Sequence, residues 1–193
     1  MIYSLEELKK LKTNKSVKRE LLKYIPIGGI ACIEGWYRMA VAELIDKGLP
    51  FRKNAESFVN VKFDASSILA IHEKKLSPGE LFAHFLSVNG FEELNKNLST
   101  IAGEDFLERF KFTRINPESA PNPIYFTKDA PHIFEGVKKA FELRHIFCHE
   151  LATSAKYSIR QIEHCAYGFF FFLIGADRVV QDLLEGKPNN ALL

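Results

Sequence analysis

The sequence predicts an all-α fold, a helical bundle whose middle third is a string of short helices. Three observations carry that prediction. Apolar residues recur at helical spacing in three long segments, Ile27 to Lys47, Pro131 to Cys148 and Tyr157 to Glu185. Residues that start and stop helices bracket these segments. The clearest loop, Asn116 to Pro123, holds three prolines in seven residues and falls between them. The 193 residues suit one domain over 1–193, with 51–126 as an insertion within it.

Taken in order, Ser4 caps a first short helix toward Lys12, with Glu7 at the capping-box position, before the polar Thr13-Asn14 break. Val17, Leu21, Leu22, Tyr24 and Ile25 begin an apolar stripe that Pro26 and Gly28-Gly29 are expected to disturb. Ile30, Ile33, Trp36, Tyr37, Ala40, Val41, Leu44 and Ile45 resume it, and Gly48 stops it. In the middle third, Asp64 to Lys74 reads as a short helix. Ser77, Pro78 and Glu80 supply N-cap, first-turn proline and capping-box acid for another through Ser87. Phe91 to Ile101 and Glu104 to Phe112 follow, separated by Gly103. After the proline loop, Pro131 opens the next long helix, and Tyr157 or Ser158 begins the last, which Gly186 closes.

Composition narrows the function. Seventeen Phe against one Trp and six Tyr point to a filled interior or a self-association surface more than to an exposed base-stacking platform. The run Phe169 to Phe172 covers every side of a helix turn and is expected to be buried all round, partly against a second subunit. A net charge of +2 is too balanced to predict nucleic-acid binding in bulk, so any such contact needs a local patch. Cys32, Cys148 and Cys165 form no paired motif and read as reduced, buried thiols. The amino terminus carries acids where a signal peptide is basic, and the longest apolar run, Ala166 to Ala176, is about half of the ~20 residues a bilayer span needs. A cytoplasmic protein with no membrane contact is expected.

The chemistry concentrates in Arg144-His145-Ile146-Phe147-Cys148-His149. Arginine is a permanent, forked donor to phosphate oxygens, and histidine exchanges a proton near neutral pH, so the pair suits a phosphodiester. On an ideal helix Arg144 and His149 lie ~140° apart around the axis and ~7.5 Å along it. His145 and His149 share a face. Bringing Arg144 and His149 together needs unwinding near Cys148 or a complementary half from a partner chain.

Arg-x4-His with a polar residue directly after the arginine resembles the signature of the HEPN domain family. The resemblance implies a small helical bundle and a metal-independent endoribonuclease without cofactor. It also implies a homodimer that sets two motifs against one RNA strand, in toxin–antitoxin or antiviral defence systems where a cognate antitoxin can restrain it. For RNA, His149 would serve as the acid–base residue, Arg144 as the phosphate clamp, and His145 as an orienting or phosphate-binding residue. The products would be a 2′,3′-cyclic phosphate and a 5′-hydroxyl. Lys138 and Lys139, before Arg144, are the secondary candidates for the RNA backbone, while Lys9, Lys10, Lys12, Lys15, Lys18 and Arg19 read as solvated helix faces. The chain departs from some toxin members in carrying Leu151 where they have a regulatory tyrosine.

Plainer readings compete. Arg144 and His149 also fit an ordinary helix terminus, paired with carbonyls or with Glu142 and Glu150, in a non-catalytic scaffold or antitoxin-type module. Glu34 reads as an exposed helix carboxylate and stays outside the site. Glu142-x2-His145 is half of a di-iron signature without its second half, and His145-x3-His149 lacks a third ligand, so no metal is assigned. His72, His84, His132 and His164 read as solitary surface or satisfied histidines.

Overall fold

The computed structural model describes residues 10, 14–58, 65–73, 75–116, 119, 121–122, 124–149 and 157–189. These residues are 75% helical and contain no strand. The all-α expectation therefore holds. The helices are α1 (Lys15–Lys47), α2 (Phe51–Ala55), α3 (Ala65–His72), α4 (Pro78–Phe85), α5 (Phe91–Ala102), α6 (Phe106–Lys111), α7 (Ala130–His149) and α8 (Ile159–Leu184). The helix expected from Ser4 to Lys12 lies outside the described residues except at Lys10. The chain divides into two compact units, Met1–Glu34 with Asp129–Ile174, and Gly35–Lys128 with Gly175–Leu193.

In the first unit, the expected break at Pro26 does not occur, and α1 runs 33 residues with the proline inside it. Pro26 forgoes one helix hydrogen bond. Leu22, Ile25, Pro26, Gly29 and Ile30 are nevertheless buried at helical spacing, so the face that packs continues across the proline and offsets that loss. Gly29 marks a contact, not a stop: a Cβ there would stand 2.3 Å from the Phe169 ring. α7 buries Ile133, Val137, Ala140, Phe141 and Leu143, and α8 buries Ile162, Cys165, Ala166, Phe169 and Phe172. The two helices cross where Gly136 and Gly168 meet, since a Cβ on Gly168 would stand 2.7 Å from the Gly136 backbone. The phenylalanine run is not buried all round. Phe169 and Phe172 face the core, Phe171 is half-buried, and Phe170 is 39% exposed, with Ile174 exposed one turn on. A helix has too many sides for one core to cover all four rings.

The second unit is made by the short helices together with the ends of α1 and α8. Phe91, Leu94, Leu98, Ile101, Phe106 and Phe110 are sealed, Trp36 sits 6.4 Å from the Phe106 ring, and Gly175 admits the Phe110 and Phe126 rings. The sequence signals at α4 are realised in full. Ser77 Oγ accepts from the Glu80 amide at 3.0 Å while the Ser77 amide donates to Glu80 Oε2 at 2.7 Å. Gly79 follows because α4 starts hard against α1, where any Cβ would stand 2.3 Å from the Ala42 carbonyl oxygen. Gly103, at φ +78°, caps α5, and Asp105 caps α6 through the Glu108 amide. The five-residue α2 is the one short helix not foreseen.

Candidate functional site

α7 carries the motif, and its periodicity decides what each residue can do. The face that buries Val137, Ala140 and Phe141 leaves Lys138, Glu142 and His145 exposed and Arg144 half-buried at the edge. Arg144 donates from Nη2 to Glu34 Oε1 at 3.0 Å, joining α7 to α1. Glu34, set aside as an exposed carboxylate, is thus the arginine's acid partner. Glu142 is not, because Lys139 takes it at 2.7 Å. One α1 position separates Glu34 from buried Ile33, which puts its carboxylate at the edge of the packed face; the α1 periodicity was the available signal. The Glu34 bond uses one of five guanidinium N–H groups, and a half-exposed fork keeps others available to an anion.

The helix stays regular to His149, so the expected unwinding near Cys148 does not occur among the described residues. Hydrogen-bonded helix continues because Leu143 is buried and Ile146 and Phe147 are half-buried through this last turn. Arg144 and His149 then remain ~140° apart on one helix. The His149 side chain lies outside the described residues, as do Glu150 and Leu151. Cys148, next to it, is exposed, as is Cys32; only Cys165 matches the expected burial. Both exposed thiols sit on the outer faces of α1 and α7, which a widely spaced cysteine does not reveal by itself.

A feature missed in the sequence lies beside the motif. Phe147, one turn past Arg144, meets the Tyr157 ring edge-on at 5.0 Å. Tyr157 lines an open groove of about 710 Å³ whose basic wall is Lys15, Lys18 and Arg19. The Arg19 guanidinium lies 5.1 Å over the Tyr157 ring, and the Tyr157 hydroxyl donates to the Arg19 carbonyl at 2.5 Å. Partial burial pushes that phenol's pKa up, keeping it a donor. Lys15, Lys18 and Arg19 stand at i, i+3 and i+4, the spacing of one helix face, and that was the readable signal. A groove of about 750 Å³ in the second unit mixes Arg38 and Lys47 with Glu43, Asp46 and Glu80 and offers no single-sign surface.

Two of the histidines expected to be solitary are a pair. His132 of α7 and His164 of α8 stack with centroids 4.1 Å apart, and His164 Nε2 lies 2.9 Å from the His132 carbonyl oxygen. No protein-family model, curated protein or solved structure matches this chain. No helix among the described residues is long and apolar enough to cross a membrane.

Proposed function

We propose that the chain is a metal-independent endoribonuclease of the HEPN type, acting as a cytoplasmic homodimer in a toxin–antitoxin or antiviral defence setting. The observation that carries the reading is Arg144, half-buried, oriented by Glu34, and one turn from an aromatic contact into a basic groove. A cation held in this way suits charge developing on a phosphate, because its position is set before the substrate arrives. The groove wall of Lys15, Lys18 and Arg19 offers phosphate-binding side chains to a strand beside the motif, and exposed Lys138 is a separate backbone contact on α7. Since α7 does not unwind, the arrangement relies on the partner-chain route, with Arg144 of one copy working beside His149 of the other. His149 removes the 2′-hydroxyl proton, Arg144 holds the phosphate, and the imidazolium so formed gives a proton to the departing 5′-oxygen as the 2′-oxygen–phosphorus bond forms and the phosphorus–5′-oxygen bond breaks. His145, exposed on the same α7 turn, serves as a phosphate contact. Exposed Phe170 and Ile174 are the apolar surface on which two copies would meet.

The same ion pair favours a second reading, a non-catalytic module in which Arg144 and Glu34 merely tie α7 to α1. Purified protein incubated with mixed RNA in chelator, well below its unfolding temperature, separates the two. The enzyme loses cleavage in both Arg144→Ala and His149→Ala, and becomes monomeric and slow in Phe170→Glu. Residual cleavage identical in wild type and variants is contamination and leaves the scaffold.

A further inference from the structure

The crossing of α7 and α8 builds a second cluster that the motif does not use. His132 and Glu135 stand at i and i+3 on α7, and His164 reaches them from α8. One donor atom from each, two imidazole nitrogens and a carboxylate oxygen, lie within 4.8 Å of one another. We propose that His132, Glu135 and His164 form a binding site for a divalent transition-metal ion, best matched by zinc, that staples α7 to α8.

The donor set comes first. Two histidines and one carboxylate are a recurrent three-ligand zinc set, leaving the fourth position to water. The scaffold comes next. Gly136, the residue after Glu135, packs directly against His164 and Gly168, where a Cβ would stand 2.5 Å from the His164 carbonyl oxygen, so the α7 and α8 halves of the cluster are set by backbone packing. The tautomer is also set. A carbonyl oxygen only accepts, so His164 Nε2 donates to His132, and the His164 lone pair belongs to Nδ1. An imidazole that gives one N–H to a backbone carbonyl and offers the other nitrogen is the usual state of a metal-bound histidine.

The side chains have some distance to travel. Metal–ligand bonds of ~2.1 Å put tetrahedral donors ~3.4 Å apart, so donors up to 4.8 Å apart must close by as much as ~1.4 Å. Rings stacked 14° from parallel must also tip before both nitrogens reach one point. His132 and Glu135 are exposed, so both movements are side-chain rotations in solvent, with no core to repack. His132 stands twelve residues before Arg144, ~18 Å along α7, which makes the ion a brace and keeps it out of the cleavage chemistry.

The test uses tag-free full-length protein in a Cys32→Ser, Cys148→Ser background, which removes the exposed thiols as rival ligands. Calorimetric titration with zinc chloride should give one ion per chain. Cobalt(II) should give visible d–d bands without near-ultraviolet sulfur-to-cobalt absorption. Zinc should raise the melting temperature, and His132→Ala and Glu135→Gln should each weaken zinc binding at least tenfold and abolish that rise, while His84→Ala matches the parent. Both diagnostic residues are exposed, so circular dichroism should stay unchanged. Absence of saturable one-to-one binding, or equal zinc affinity in the parent and both variants, would overturn the site.

Discussion

Arg109 in the second unit and Arg144 in the first each face a glutamate, but their surroundings differ. The Arg109 side chain is 7% exposed, is paired with Glu104 and also donates to the Lys187 carbonyl at 2.7 Å, while the other Glu104 oxygen accepts from Asn189. Arg144 is 32% exposed, and the Glu34 bond engages one corner of its fork. The buried guanidinium is held at both terminal nitrogens, by Glu104 and by the Lys187 carbonyl. One half in solvent, aimed by a single carboxylate, has donors to spare for an incoming anion. Residue type and acid partner are the same in both; exposure and saturation separate the roles.

The largest expected effect tests that separation directly. Arg144→Ala should lower RNA cleavage by ~10²- to 10³-fold, the usual cost of removing a donor that stabilises developing charge. Its stability in urea should change by less than ~1 kcal/mol, because a half-exposed ion pair contributes little. A large loss of stability with cleavage intact would make Arg144 another Arg109 and end the catalytic reading. Arg109→Ala should do the reverse. Breaking a buried pair costs ~3–5 kcal/mol, and the 28% exposure of Glu104 favours the lower end. Its urea midpoint should drop sharply while cleavage per folded molecule is unchanged.

Adjacent glycines sharpen the contrast between open and packed surroundings on a smaller scale. A Cβ on Gly28 meets nothing within 4 Å, whereas on Gly29 it meets the buried Phe169 ring at 2.3 Å. Gly28→Ala should stabilise by ~0.5–1 kcal/mol through helix propensity. Gly29→Ala should destabilise by ~1–3 kcal/mol through overpacking. Thermal melts of the two single variants should therefore move in opposite directions.

Local signals in the sequence were legible where one residue and its neighbours decide the outcome. The Ser77–Glu80 box, the Gly48, Gly103 and Gly186 stops, and the α7 and α8 spans were all readable because caps and periodicity act within a turn. Pro26 misled for the same reason: its local penalty is real, but the decision to continue α1 lies in burial supplied by other segments. Partner identity was not legible. Nothing in sequence spacing joins Glu34 to Arg144 across 110 positions, or His132 to His164 across 32. The basic groove was half-visible, since Lys15, Lys18 and Arg19 show one face, while Tyr157 joins them only through the fold.

The cysteines repeat the comparison within one residue type. Cys32 and Cys148 are exposed, whereas burial pushes the Cys165 thiol pKa up to about 12 from its ordinary 9.0. The folded state therefore holds a proton that the unfolded state releases. Below pH 9 both states are protonated and Cys165 makes no pH-dependent contribution; between pH 9 and about 12 stability falls as the unfolded thiol ionises first. The limiting slope is ~1.4 kcal/mol per pH unit for one proton. Urea melts from pH 7 to 10.5 should show wild type losing stability faster than Cys165→Ala above pH 9, with parallel curves below it. In the native protein at pH 8, a thiol reagent should label Cys32 and Cys148 quickly and Cys165 only after unfolding. Rapid labelling of all three would mean that α8 opens where the packing around Cys165 says it is closed.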